Sequence, residues 1–267
     1  MSAVASELAT PVFDRVVCGI DRSAAGVIAA RAAGQVAAPE GSLVLVAVQD
    51  PSPAVHAGWG MSKVLEELAE EATLGLEHGR AEAEPLHEVE TRLLRGDPVR
   101  GLLHEAAARD ATLIVVGSHG LSRAAGIALG AVSTALLHEA PCPVLIARGP
   151  VNADRWPRRV VVGIDGSSDS AAALAAGRSL AARLHGDLRV VAATQDAHID
   201  LETARKLAPG LEEHDGRAID VLNVASETAD LVVVGSRGLR GLRALGSLSE
   251  RLAHEAKCSV LVVRPER

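Results

Sequence analysis

Short unbroken runs of Val, Ile and Leu recur along the first part of the chain, at 16–20, 43–48, 88–94, 113–116 and 144–147. Runs that are apolar at consecutive positions, rather than at alternating ones, mark strands covered on both faces, as in a parallel sheet held between helices. Longer Ala-rich segments separate them and predict helices at 23–38, 61–83, 98–109 and 132–139. Pro98 directly after Asp97 is a helix-start signal. Within 61–83, Val64, Leu65, Leu68, Ala72 and Leu76 keep helical spacing, and Glu66, Glu67, Glu70 and Glu71 form an opposite face that reads as solvated surface rather than a metal site. Regular alternation of strand and helix predicts an open doubly wound α/β unit of the Rossmann-like kind.

The pattern then repeats. Arg15-Val16-Val17-Cys18-Gly19-Ile20-Asp21 returns as Arg159-Val160-Val161-Val162-Gly163-Ile164-Asp165. Leu113-Ile114-Val115-Val116-Gly117-Ser118-His119-Gly120 returns as Leu231-Val232-Val233-Val234-Gly235-Ser236-Arg237-Gly238, and the block His138 to Leu145 returns as His254 to Leu261. Three blocks in the same order define a tandem duplication. Pro150 and Pro157 with Gly149 break both helix and strand between the copies. The expected organisation is therefore two tandem open doubly wound domains at 14–148 and 158–267, joined by a linker at 149–157. Each is expected to hold a mostly parallel five-stranded sheet with helices on both faces. The second is shorter: 45 residues separate Asp50 from Gly96, but only 19 separate Asp196 from Gly216. The helix after its second strand is thus expected to be truncated, with the strand near 211–214 barely recognisable.

Composition narrows the function. Of 267 residues 48% are hydrophobic and 23% charged, which excludes wholesale disorder. One Phe, two Trp and no Tyr leave little for stacking on bases, and a net charge of −7 disfavours a polyanion-neutralising surface, so nucleic acid is not an expected partner. No run of eighteen or more apolar residues would span a membrane. The first thirteen residues contain Glu7 and neither Lys nor Arg, unlike a secretory leader. Three cysteines, Cys18, Cys142 and Cys258, read as reduced thiols in a cytoplasmic protein rather than a disulfide framework. Ten histidines show no metal-binding spacing, so no metal site is expected.

Candidate chemistry lies where an open parallel sheet binds ligands, beyond the carboxyl ends of its strands. Asp21 follows the first strand, Gly117-Ser118-His119-Gly120 follows the fourth, and Gly130-Ala131-Val132-Ser133 opens the next helix. Glycines allow close backbone approach and positive φ, and the amides at a helix start attract anions, so these pieces suit a polyphosphate cradle. Plainer readings stand beside this one: Asp21 and Asp165 would serve equally as helix caps, and the glycines as turn formers.

The spacing Gly117-x2-Gly120-x9-Gly130, the early Asp21 and the closing Pro141-Cys142-Pro143-Val144-Leu145 resemble the universal stress protein family, and the repeats carry that resemblance over nearly the whole chain. The resemblance implies an ATP site in the first domain. Gly19, Val116, Gly117, Gly120, Gly130, Ala131 and Val132 would line it with backbone, and Ser133 would add a hydroxyl. Asp21 would contact ribose or the phosphate end, Val48 would offer main-chain groups to adenine, and His119 would donate to phosphate. A divalent ion such as Mg2+ would screen the phosphates. Ala131 stands where the family has Ser or Thr, so one hydroxyl is missing. A second site would use Asp165, Gly235, Arg237, Gly238, Gly246, Ser247 and Ser249. There only seven residues separate Gly238 from Gly246, a deficit of two that withdraws about 6–7 Å of extended reach; a degenerate site is expected. The resemblance also implies pairing of the two domains through their last strands. An unidentified regulatory protein and a homodimer are further expected partners.

No catalysis is legible. Asp165-Gly166-Ser167-Ser168-Asp169-Ser170 loosely matches a nucleotide-transferase pyrophosphatase loop but lacks its first Ser and second Gly. Neither Gly-x4-Gly-Lys-Ser/Thr nor Gly-x-Ser-x-Gly occurs. The functional expectation is an ATP-binding stress-response regulator without substantial turnover, the alternative being an interaction scaffold with vestigial sites.

Overall fold

The runs at 16–20, 43–48, 113–116 and 144–147 become strands whose Val, Ile and Leu side chains are buried on both faces, whereas the run at 88–94 becomes an edge strand with Glu90, Arg92 and Leu93 exposed, so burial on both faces does not extend to it. A computed structural model describes residues 13–51, 61–84, 87–120, 129–151, 155–196, 199–236 and 248–264. The first half runs β1 (Arg15–Gly19), α1 (Ala24–Val36), β2 (Ser42–Gln49), α2 (Met61–Ala83), β3 (Val89–Arg95), α3 (Pro98–Ala108), β4 (Leu113–Gly117), α4 (Ala131–Glu139) and β5 (Val144–Ala147). The second half repeats it as β6 (Arg159–Gly163), α5 (Ser168–Leu184), β7 (Asp187–Ala193), α6 (Leu201–Leu207), β8 (Glu212–His214), α7 (Ala218–Ser226), β9 (Leu231–Gly235), α8 (Leu248–Glu255) and β10 (Ser259–Val263). The shortened middle segment appears as a seven-residue α6 against the 23 residues of α2, and as a three-residue β8.

The strands form one ten-stranded sheet in the order β3-β2-β1-β4-β5-β10-β9-β6-β7-β8. Every pairing is parallel except β5 with β10, where Ile146, Leu145 and Val144 face Val260, Leu261 and Val262. Two five-stranded sheets are thereby continuous, each strand covering what would otherwise be the other's exposed edge. Because the two halves run in opposite senses, the carboxyl ends of their strands lie on opposite edges of the sheet. Alternate residues divide the core between the faces. Val16, Cys18 and Ile20 pack with α1 and α2, whereas Val17, Val44 and Val46 pack with α3 and α4.

The halves are also locked by arginines. Arg148, just past β5, donates to Ala253 O at 2.8 Å and to Ala256 O, at the end of α8. Arg264, just past β10, reciprocates on Leu137 O of α4, and Arg183 of α5 donates to Ala37 O at 2.6 Å beyond the end of α1. Each guanidinium satisfies carbonyls left over at a helix C-terminus, where the dipole favours a cation. Two described residues of the linker are anchored: Val151 and Trp156 are each 2% exposed and join the core on the α1 and α5 face.

Arg148→Ala removes charge-assisted bonds to carbonyls that remain partly buried, and should lower unfolding stability by about 2 kcal/mol. Urea denaturation followed by circular dichroism should show this within one cooperative transition. Two separated transitions in the unmodified chain would contradict a sheet that unfolds as a unit.

Candidate functional site

Strand order reverses direction between β1 and β4, and the crevice opened there is where an open α/β sheet holds ligands. A cleft of about 370 Å³ occupies it, lined by Gly19, Asp21, Val48, Val116, Gly117, His119, Gly120, Gly130, Ala131, Val132 and Ser133. The structure thus brings together every residue singled out for the first site. Arg22, Gln49, Asp50, Leu68, Glu71, Ala72, Pro98 and Leu102 are among the further wall residues, none of which was anticipated. Glu66, Glu67 and Glu70 are exposed, as expected of a solvated face, and Glu71, its side chain 38% exposed, also borders the cleft and pairs with Arg22 at 2.8 Å. The signal that would have placed α2 here is a pair of glycines one turn apart. A Cβ on Gly75 would come within 3.0 Å of Arg22 N, and one on Gly79 within 2.7 Å of Ile20 Cδ1, so α2 lies directly on the junction of β1 and α1.

Asp21 is not the cap of α1. Its Oδ1 accepts from Ser23 N at 3.0 Å and from Ser23 Oγ, and Ser23 Oγ in turn accepts from Gly26 N at 3.1 Å. Ser23 is the N-cap and Asp21 holds the capping serine in place. The other side of the carboxylate meets the glycine loop: a Cβ on Gly120 would sit 2.6 Å from Asp21 Oδ2. A Cβ on Gly117 would sit 2.7 Å from Ala25 O, so β4 closes tightly on α1. Positive φ is not what these glycines supply. Among the described residues the left-handed glycines are Gly96, Gly149, Gly166 and Gly216, and Gly130 has φ −77°. Gly117, Gly120 and Gly130 provide space.

Gly130 begins α4 with no side-chain cap, its own amide donating to Ser118 O at 2.7 Å. Ser133 Oγ donates to Gly117 O at 2.7 Å, so its hydrogen is directed at the loop rather than into the cleft. His119 Nδ1 lies 2.9 Å from Ser118 Oγ. Ile20 N donates to Val46 O across the end of β1, whereas Gly96 N donates to Gln49 O on the β3 side. Strand alternation therefore turns the main-chain N–H and C=O of Val48 toward the cleft, beyond the last residue of β1. Asp21, Asp50 and Glu71 stand against Arg22 and His119, so the lining is acidic. The cysteines lie in the core, where burial pushes the Cys142 thiol up to about 11 and Cys258 to about 12. Among the described residues no group of three or more His, Cys, Asp or Glu side chains is placed to hold a metal ion.

The second half builds the same crevice between β6 and β9, about 390 Å³ in volume, so the shorter middle segment does not close it. Asp165, Gly235 and Ser249 line it; Arg237, Gly238, Gly246 and Ser247 fall outside the described residues. Local chemistry is reproduced: Asp165 Oδ1 holds Ser167, which caps α5 through Ser170 N at 3.2 Å, and Ser249 Oγ donates to Gly235 O at 2.8 Å.

Fold and cleft together define the class, an open doubly wound α/β protein with a glycine-lined crevice at its switch point. A family model described as the universal stress protein family matches residues 13–148 and 202–264. A universal stress protein of Mycolicibacterium smegmatis is 30% identical over 290 aligned positions, covering 94% of this chain and 97% of its own length. The chain belongs to the universal stress protein family. A relative from Mycobacterium tuberculosis H37Rv is 35% identical over 185 positions, covering 58% of this chain; the match spans 62% of that relative's length. Among solved structures, a universal stress protein from Archaeoglobus fulgidus superposes with a TM-score of 0.73 at 23% identity, covering 95% of this chain and 97% of that one, a likeness of fold. No described helix is long and apolar enough to cross a membrane.

Ser133→Ala removes the bond that ties the start of α4 to the end of β4. It should lower stability by about 1 kcal/mol, read as a reduced urea midpoint. An unchanged midpoint would contradict the tie.

Proposed function

We propose that the first cleft binds ATP together with a divalent ion such as Mg2+, and that the protein is a nucleotide-dependent regulator in a stress response. The observation that carries this reading is the start of α4: a helix N-terminus without a side-chain cap opens onto the crevice that Gly117 and Gly120 keep free of side chains. Amides at such a terminus bind phosphate through both hydrogen bonds and the helix dipole. The same acidic lining that would repel a bare triphosphate accounts for a divalent ion accompanying it. Val48 presents main-chain groups suited to a purine edge, and Asp21 a carboxylate suited to ribose hydroxyls. ATP supplies the phosphate charge that the α4 terminus attracts; the chain's own part is to bind and orient it.

The reading needs no turnover. Occupancy would alter a surface that a second, regulatory protein recognises. A cytoplasmic setting suits it, since that compartment holds ATP and keeps buried thiols such as Cys18 reduced.

Titration calorimetry of the full chain with MgATP, wild type against Gly120→Val, tests the proposal. The variant's side chain must displace Asp21 from a contact that leaves a Cβ only 2.6 Å. Affinity should fall by about 100-fold, roughly 2.7 kcal/mol. Gly130→Val should do less, because the nearest atom to its Cβ, His119 Cα, is 3.3 Å away. Equal affinity in wild type and Gly120→Val would place the ligand elsewhere. Absence of heat in both would favour the interaction scaffold.

A further inference from the structure

We infer that β3 is a docking edge for a second copy of this chain, two β3 strands pairing antiparallel about a two-fold axis at Thr91 and joining two ten-stranded sheets. β3 and β8 end the sheet, and among the described residues no strand pairs with the outer side of either. The duplication treats these two ends differently. β8 is cut to three residues, a short edge of the kind that resists strand addition. β3 keeps seven, and Leu93 on it is 43% exposed. Gly96 N donates to Gln49 O, so strand alternation turns the N–H and C=O of Glu90, Arg92 and Leu94 toward β2 and those of Val89, Thr91 and Leu93 outward.

Charge selects both the partner and the register. Glu90 and Arg92 share the α3 face of the strand: Glu90 accepts from Arg109 Nη1 and Nη2 at 2.9 and 2.6 Å, and Arg92 stands 3.8 Å from Glu105. Pairing centred on Thr91 sets Glu90 of each copy opposite Arg92 of the other. These are the non-hydrogen-bonded positions, where facing side chains come closest. Moving the axis by one residue sets Arg92 against Arg92 or Glu90 against Glu90, so like charges penalise the neighbouring registers. On the other face Val89 of one copy meets Leu93 of the other, covering an apolar side chain that the single chain leaves exposed. The two Thr91 residues exchange both backbone hydrogen bonds at the axis. β3 is thus complementary to itself, as a two-fold interface requires. The first halves flank the new seam, and the short β8 edges end the assembly.

Sedimentation velocity of the full chain across about 1 to 100 µM tests the inference without nucleotide, so its outcome is independent of the ATP reading. Wild type should pass reversibly from monomer to dimer. Thr91→Pro removes an outward N–H, which an edge strand tolerates, and deletes both bonds at the axis. It should raise the dimer dissociation constant about 100-fold. Leu93→Lys places a lysine on the edge and should raise it about tenfold, with the pairing to β2 untouched. Circular dichroism and urea melts check that each variant keeps the wild-type fold, and Leu93→Lys carries the test if Thr91→Pro does not fold. Register is read separately. Cys18, Cys142 and Cys258 are buried, so a Thr91→Cys chain treated with a short bismaleimide should cross-link through residue 91 alone. A wild type that stays monomeric throughout, a dimer that either folded variant leaves at wild-type strength, or a Thr91→Cys dimer that resists cross-linking would each overturn the inference.

Discussion

Antiparallel pairing of β5 with β10 governs the rest of the molecule. It is the single reversal in an otherwise parallel sheet, made by two short strands that are buried along their whole length. Through it the two halves share one sheet and place their crevices on opposite edges, so neither cleft borrows residues from the other. The arginines past the two strands reinforce the reversal symmetrically: Arg148 holds the end of α8 while Arg264 holds the end of α4. Across the same seam His138 of α4 meets Glu250 in the first turn of α8 at 3.4 Å.

Each crevice is then shaped by absence of side chains. Gly117 lets β4 close on α1, Gly120 leaves room for the Asp21 carboxylate, and Gly75 and Gly79 let α2 lie over the same junction. Asp21 works through a chain of contacts, holding Ser23, which caps α1. Among the described residues the walls of the cleft are held by tight packing. Duplication preserved this framework down to the serine bridge, Ser133 to Gly117 and Ser249 to Gly235.

Much of this was legible in the sequence because burial on both faces writes strands as unbroken apolar runs. The 144–147 run and the 61–83 helix fall on β5 and α2 at both ends, and the internal repeat announces the second half. The cleft residues came from the family resemblance that the glycine spacing carries, and of the two reasons offered for the glycines, close approach and positive φ, only close approach applies. Spacing cannot distinguish a residue needed for positive φ from one needed because Asp21 or Ala25 stands within 3 Å of where a Cβ would be. Helical periodicity put Glu71 on a solvated face, where it lies, but could not show that Arg22 pairs with it at the mouth of the cleft. The burial of Val151 and Trp156 was equally hidden, since Gly149, Pro150 and Pro157 announce a break in secondary structure without saying that Trp156 joins the core.

Native mass spectrometry of the intact chain, purified without dialysis and then supplied with MgATP, tests the central claim most directly. The account predicts one ATP retained per chain, lost in Gly120→Val. A chain that stays free of nucleotide at saturating MgATP would contradict it.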